Sequence, residues 1–354
     1  MTPLIAGGGP AGATAAILLA RGGAAPRLLE RTTGAHDVVC GAFLGWDALA
    51  SLRALGIDPA ALGAHPITRV RVIAGGRIVE TALPHPAAGL SRRILDEALL
   101  AAATTAGARI DRGITIRDAT GTTLRLRDGD TATGDALFLA TGKHDLRGLA
   151  RPRPLAPSIG FRTALPLSPK LTAALSGMIE LHAFDGGYAG ILLQEDGRAN
   201  FCLSASADRI GPGGVDALLA DVAHDAPLLA DRAATAQDWV AIAGVPYGWR
   251  TGETEPNLFR LGDQAAVIAS LAGDGVAIAL ASGASAARAY LKTGPAGAQA
   301  WQRDFAARSR RPLLVASTIR HMAEHPRWRG PMTGLLAALP GIARIAARAT
   351  RIGH

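Results

Sequence analysis

Lysine is nearly absent from this chain. Only Lys143, Lys170 and Lys292 occur, so arginine supplies all but three of the 37 basic residues. Together with abundant alanine and glycine, this bias reads as the codon signature of a GC-rich genome and not as a function. Cysteine is scarce too. Cys40 and Cys202 stand alone, which excludes a disulfide scaffold. At 19% charged and 49% hydrophobic the composition is that of a folded globular chain and excludes a disordered one. A membrane-spanning run is also lacking. Residues 2–20 are uncharged, but they hold four glycines and two prolines and no positive n-region, so they form neither an anchor nor a signal peptide. A cytoplasmic protein with reduced thiols is expected. Metal-ligand spacing is missing: His321 and His325 stand four apart on an expected helix, without a third ligand nearby. There is no P-loop and no Gly-x-Ser-x-Gly elbow.

Acidic residues are rare in one place. From Arg303 to Arg351 ten arginines face only Asp304 and Glu324, a local excess of +8 that equals the net charge of the whole chain. Residues 1–302 are therefore balanced and give nucleic acid no electrostatic footprint. Within 333–352, Arg344, Arg348 and Arg351 recur at i, i+4, i+7, while Ile342, Ile345, Ala349 and Ile352 fall on another face. Two readings stay open. Such a helix lies on an anionic membrane surface, peripheral to its inner face, or it packs on the body with a solvated arginine face.

The 354 residues, at about 150 per domain, predict two domains. The opening reads as a strand (3–6), a glycine turn, a helix (13–21) and a strand (26–30). Residues 47–56 look helical, and 67–83 form two strands joined at Gly75–Gly76. Ser91 caps a helix that ends at Gly107. Residues 136–140 form a buried strand. The middle is β-rich: 178–184, 188–194 and 200–205, the last two joined at Asp196–Gly197. Helices at 215–223 and 227–236 follow. Leu258–Leu261 is a strand, and 275–290 is a small-residue helix. Strand–helix alternation at both ends with a β-rich middle predicts an α/β domain interrupted by a second domain.

Gly7-Gly8-Gly9-Pro10-Ala11-Gly12 fits G-x-G-x-x-G. Gly7 permits the tight turn, Gly9 lets a pyrophosphate approach the backbone, and Gly12 lets the helix pack on the strand. The pyrophosphate then lies at a positive helix N-terminus. Glu30, 18 residues beyond Gly12, ends the next strand, where a carboxylate accepts ribose hydroxyls. A second glycine cluster follows Arg260-Leu261-Gly262-Asp263 and ends in Gly273-Asp274-Gly275. Asp263 there suits a ribityl hydroxyl or serves as a plain turn residue.

These motifs resemble the geranylgeranyl-reductase-like branch of FAD-dependent oxidoreductases, within the superfamily of p-hydroxybenzoate hydroxylase-type flavoproteins. Cys40-Gly41, Ser91-Arg92-Arg93 and Pro246-Tyr247-Gly248 match in the same order, over about residues 3 to 290. The resemblance implies a Rossmann-like, glutathione reductase-type FAD-binding domain with an inserted antiparallel sheet and C-terminal helices. Its boundaries would be 1–60, 90–150 and 255–300 for FAD, 61–89 and 151–254 for substrate, and 301–354 for the basic helical segment. It implies that Gly7, Gly9, Gly12, Glu30 and the adjacent Arg31 hold the ADP half. Arg92, Cys40, Gly41, Thr141, Gly142 and Asp263 would follow the rest of FAD, with Gly273, Gly275 and Val276 at the flavin edge.

Departures from the pattern are visible. Ala42 replaces the acidic residue that usually follows Cys-Gly. Thr141-Gly142-Lys143-His144 replaces an Asp-Gly loop that serves both FAD and NAD(P)H. No second glycine fingerprint offers a separate nicotinamide domain, so NAD(P)H docks transiently or a partner protein supplies electrons. Lys143 and His144 suit a phosphate or a solvated loop. Trp239 and Trp249 do not form the W-x-W-x-I-P motif of flavin halogenases. Candidates for the substrate face are Cys40, His182, Tyr188 and Tyr247, with Cys202 beside them; each also has an ordinary packing role. The expected activity is NAD(P)H-dependent hydroxylation of a hydrophobic phenolic or polyketide-type aromatic. Saturation of polyprenyl double bonds and a non-catalytic flavin or electron-transfer role are the alternatives.

Overall fold

The computed structural model describes residues 1–152, 154, 157–339 and 341–352. The chain opens with β1 (Leu4–Ala6), α1 (Pro10–Arg21) and β2 (Arg27–Glu30). α1 starts three residues before the expected Ala13, because Pro10 occupies the first helical turn, where its missing N–H leaves no bond unmade. Next come β3 (Phe43–Leu44), α2 (Trp46–Ala54) and the hairpin β4 (His65–Ala74) and β5 (Arg77–Gly89). α3 (Arg92–Thr105) carries the expected cap: Ser91 Oγ accepts from the Ile94 amide at 3.2 Å. Four short strands lead to β10: β6 (Arg109–Arg112), β7 (Ile116–Thr120), β8 (Thr123–Leu126) and β9 (Thr131–Thr133). β10 itself is Leu137–Leu139.

The middle segment contains β11 (Ser158–Pro166), α4 (Pro169–Leu175), β12 (Gly177–Phe184), β13 (Gly187–Gln194) and β14 (Arg198–Ser206). It closes with α5 (Gly214–Val222), α6 (Pro227–Ala233) and β15 (Val240–Val245). Then come β16 (Leu258–Arg260), α7 (Gly275–Thr293), α8 (Ala298–Glu324), α9 (Pro326–Ala338) and α10 (Gly341–Ala349).

Three parts of the chain build one parallel sheet of order β16-β10-β1-β2-β6. Its centre is apolar on both faces, because helices cover one and the small sheet β7-β8-β9 covers the other through Leu124, Leu126 and Ala132. Phe138 of β10 pairs with Phe259 of β16, their rings stacked at 4.7 Å. α1, α3, α7 and α8 pack over this sheet in the main core with Leu95, Ile278, Trp301 and Phe305. The second sheet has order β15-β11-β14-β13-β12-β4-β5-β3 and is antiparallel except where β12 meets β4. The hairpin of residues 65–89 thus joins the strands of the middle segment. Alternation along these strands sends Phe161, Phe201 and Leu203 toward α5 and α6, which close that face.

The C-terminal segment departs from the expected single helix over 333–352. Leu339 precedes a proline in sequence and adopts φ −132°, ψ 75°, so α9 and α10 meet at a bend of 113°. His325 is likewise extended (φ −97°, ψ 126°), which removes it from the helix of His321.

Candidate functional site

β1 delivers the chain into the turn Gly7–Gly9. Gly7 has φ 104°, and a Cβ there would lie 2.5 Å from the Ala140 carbonyl oxygen. A Cβ on Gly12 would lie 2.0 Å from the Gly7 carbonyl oxygen, so only glycine lets α1 sit this close to its own turn. Gly9 caps α1 with no side chain, which leaves the first amides of the helix open to a ligand. At the end of β2, Glu30 Oε2 accepts from the Gly8 amide at 2.6 Å. Its Oε1 accepts from the Thr32 amide and hydroxyl, both at 2.8 Å. Burial opposes ionisation of Glu30, but these hydrogen bonds outweigh it and hold the pKa below the usual carboxylate value. A carboxylate has about four acceptor positions, so one remains for a ribose hydroxyl.

A cleft of about 470 Å³ opens here, bounded by the glycine turn, Glu30, Arg31, the loop His36–Val39 and Thr141 to Asp145. Arg92 reaches it from the first turn of α3. Its Nη2 lies 3.1 Å from where a Gly9 Cβ would sit, and its Nε and Nη2 each bond Asp96 at 2.7 Å. Burial disfavours the charged guanidinium, yet Asp96 more than compensates and raises the pKa. Lys143 Nζ donates to the Val39 carbonyl at 3.2 Å and lies 3.7 Å from Asp263. Burial acts against its charge, but Asp263 keeps the pKa raised. His144 is pushed the other way, by burial and then by Arg31, Lys143 and Arg151, so the imidazole is neutral at pH 7.

Sequence reasoning gave no role to Arg151 or Gln264, which fix this loop. Buried Arg151 donates to Asp145 (2.7 Å), to the Lys143 carbonyl (2.7 Å) and to the Asp263 carbonyl (2.9 Å). Gln264 Nε2 donates to the Gly142 and His144 carbonyls at 2.9 and 3.1 Å. Arg151 lies outside every motif, and the long-range bonds could not be read locally: Arg151 to Asp263 spans 112 positions, and Gln264 to Gly142 and His144 spans 122 and 120.

A second cavity of about 130 Å³ adjoins the first and shares Gly9, Val39, Arg92, Gly142, Lys143 and Asp263 with it. Cys40, Gly41, Phe43, Gly273, Gly275 and Val276 line one side, and Cys202, Ser204 and Tyr247 the other. Sheet alternation puts Gly160, Cys202 and Ser204 on this face, opposite the one that α5 and α6 cover. Tyr247 Oη and Ser270 Oγ share a hydrogen bond at 2.8 Å, and Tyr188 Oη meets the same Ser270 hydroxyl from behind. Tyr188 is thus one contact removed from the lining, and burial raises its pKa well above the usual phenol. Burial pushes the Cys202 thiol up to about 12, so it stays protonated.

His182 is not brought to this site. Its Nε2 bonds the fully buried Glu180 at 2.8 Å on the face of β12 that α6 covers, where Arg71 (2.7 Å) and Arg232 (2.9 Å) complete an ion cluster. The loop bearing Cys40 is pinned by a second buried arginine. Arg162 bonds Asp37 (2.7 Å) and Asn200 (2.9 Å), and Asn200 Nδ2 donates to the Cys40 carbonyl at 3.1 Å.

Arg351 corrects the expected solvated arginine face. Its guanidinium stacks on the Trp46 ring at 4.1 Å, pairs with Asp47 at 3.2 Å and is the ion partner of buried Asp274. Asp274 begins α7 between Gly273 and Gly275, so this pairing braces the glycine edge of the second cavity. Ile352 is buried in the main core.

The donor set fits FAD. An open helix N-terminus with Arg92 beside it suits the pyrophosphate, Glu30 the adenosine ribose, Asp263 the ribityl chain, and the α7 edge the ring. Comparison with known proteins agrees. A family model described as FAD binding domain matches residues 1–147. No curated protein matches the chain by sequence. HpxO of Klebsiella pneumoniae, solved with FAD and uric acid, superposes with a TM-score of 0.77 at 17% identity, over 99% of this chain and 96% of that one. PqsL of Pseudomonas aeruginosa, described as a probable FAD-dependent monooxygenase, gives 0.75 at 15% identity over 94% and 99%. A geranylgeranyl bacteriochlorophyll reductase-like protein of Thermoplasma acidophilum gives 0.73 at 18% identity over 99% and 94%.

Proposed function

We propose that this FAD-dependent oxidoreductase, built on the p-hydroxybenzoate hydroxylase-type fold, is a monooxygenase that hydroxylates a hydrophobic phenolic or polyketide-type aromatic, with NAD(P)H as a transient reductant. Bound FAD supplies the electron transfer and oxygen chemistry. The observation that carries the reading is the lining of the second cavity. Phe43, Val267 and Ile268 give it an apolar wall, and Ser204, Tyr247 and Ser270 set hydroxyls on that wall. An aromatic ring bearing a hydroxyl matches both features. Tyr247 and Ser270 already share a proton-bearing hydrogen bond, so they can orient a phenol. Arg92 and Lys143 supply fixed positive charge along the cofactor path. The Cys202 thiol remains neutral and only packs.

Double-bond reduction of a polyprenyl chain is the second reading. It is favoured by Cys40-Gly41, which lie in the cavity lining. The test is anaerobic reduction of the purified holoprotein by NADPH and NADH, read as loss of flavin absorbance, with and without a phenolic lipid. Oxygen is then admitted. Bleaching that accelerates with the phenol and ends in oxygenated product is expected. Bleaching by dithionite alone, with hydrogenation of a polyprenyl substrate, would replace the hydroxylase with the reductase.

A further inference from the structure

From Pro326 to Ile352 the sequence has five arginines and no acidic residue. α9 lies against the β4–β5 hairpin through one side: a Cβ placed on Gly75 would lie 3.9 Å from Gly330 Cα, and Arg77 reaches Gly334. Thr333 is buried on that side. On the opposite side Trp328, Pro331, Leu335, Ala338 and Leu339 are all exposed. At 100° per residue these five positions span an arc of about 100°, a single apolar stripe. Trp328 is 50% exposed, Leu335 46% and Leu339 54%, and beyond the elbow Ile345 of α10 is 67% exposed.

Exposed arginines frame the stripe: Arg327 at its start, Arg344 and Arg348 after the elbow. Arg329 takes no part, since it faces Asp185 and Asp225. Nor does Arg351, which is engaged with Asp47 and Asp274.

We propose that the α9–α10 elbow is a docking surface for an anionic lipid bilayer. Large apolar side chains gathered on one arc are unusual on a surface that meets only water. A water-facing basic helix would place polar residues there, as the C-terminal sequence pattern allowed. A bilayer interface satisfies both halves of the pattern at once: the stripe enters the acyl boundary and the arginines meet acidic head groups. Among the described residues no single helix is long and apolar enough to cross a membrane; α9 and α10 reach that length and composition only together, and their 113° bend suits a pair lying at the interface better than a span.

The test is co-sedimentation of the FAD-loaded full chain with vesicles of phosphatidylcholine alone, or with about a third phosphatidylglycerol. We expect at least about tenfold stronger binding to the anionic vesicles, weakening as salt rises. The variant W328S/L335S/L339S should lose about tenfold in that binding while keeping its flavin. These side chains are exposed, so the fold should survive; if the variant sheds flavin, the lipid-charge and salt arms on the unaltered chain still decide. The proposal is overturned if the unaltered chain ignores anionic vesicles or if the flavin-bearing variant binds them equally well. It is also overturned if the stripe instead joins two copies, seen as a lipid-free dimer that the variant makes monomeric.

Discussion

Replacing Arg351 by glutamine would take a guanidinium from between Asp47 and Asp274 and leave the buried Asp274 carboxylate without its ion partner. Breaking a buried pair from one side costs about 3–5 kcal/mol. R351Q should therefore melt earlier and, because Asp274 opens α7 at the cavity, hold FAD more weakly; thermal unfolding and flavin fluorescence would show both. Unchanged melting and flavin retention would mean that the pair contributes nothing. At Gly9 the consequence is steric. A Gly9→Leu side chain would meet Arg92 and fill the mouth of the helix, so the protein should purify colourless. A full yellow complement would move the cofactor site elsewhere. The glycines and Glu30 were legible because a strand–turn–helix fingerprint with an acidic residue at the next strand end is a local pattern, whereas Arg92 was named only through the family resemblance. Arg351 was not legible. It lies in a repeat of arginines whose spacing suits solvent, and only the fold brings it to Asp274.

At the scale of elements, local chemistry made some boundaries legible and left others hidden. Ser91 before α3, the Asp196–Gly197 turn and the Gly75–Gly76 turn each announce themselves within a few residues. β11 and β15 do not, because their partners are supplied by β14 and by each other across about thirty residues or more. The long hairpin β4–β5 was foreseen as two strands, but its parallel bond to β12 follows from no local signal. Ser91 also shows how one residue binds two elements. Its hydroxyl caps α3, and its amide donates to Glu195 at 2.9 Å beyond the end of β13. Ser91→Ala keeps the amide bond but removes both the cap and the hydroxyl's bond to the buried Glu195 carboxylate, so a loss of about 2–4 kcal/mol is expected in denaturant unfolding. No loss would mean that the cap is redundant with the packing of α3.

For the whole molecule, the Glu180 cluster sets an acid limit. Burial raises the Glu180 pKa, but bonds from His182, Arg232 and Arg71 outweigh it and bring the value down to about 2, from an ordinary 4.5. A carboxylate whose folded pKa is depressed contributes fully above its unfolded value. That contribution fades as pH falls from about 4.5 toward 2. The protein should thus lose stability steeply below pH 4.5. E180Q should remove that part of the slope and, at neutral pH, destabilise by about 3–5 kcal/mol, since Arg71, Arg232 and His182 would face an uncharged partner. Parallel melting curves of the two proteins from pH 7 to about 3 decide it; equal slopes would show that other carboxylates set the limit.

The parallel sheet interleaves segments that the ribosome makes far apart: β1 and β2 near the start, β10 in the middle, β16 beyond residue 250. The glycine turn can form early, but its ring-side wall waits for α7, and the brace on Asp274 waits for Arg351. A nascent chain therefore offers the ADP half a partial cradle long before it can enclose the ring. Flavin capture should therefore be a late event in synthesis, and the yellow colour of a preparation should count finished chains, not merely folded N-terminal halves.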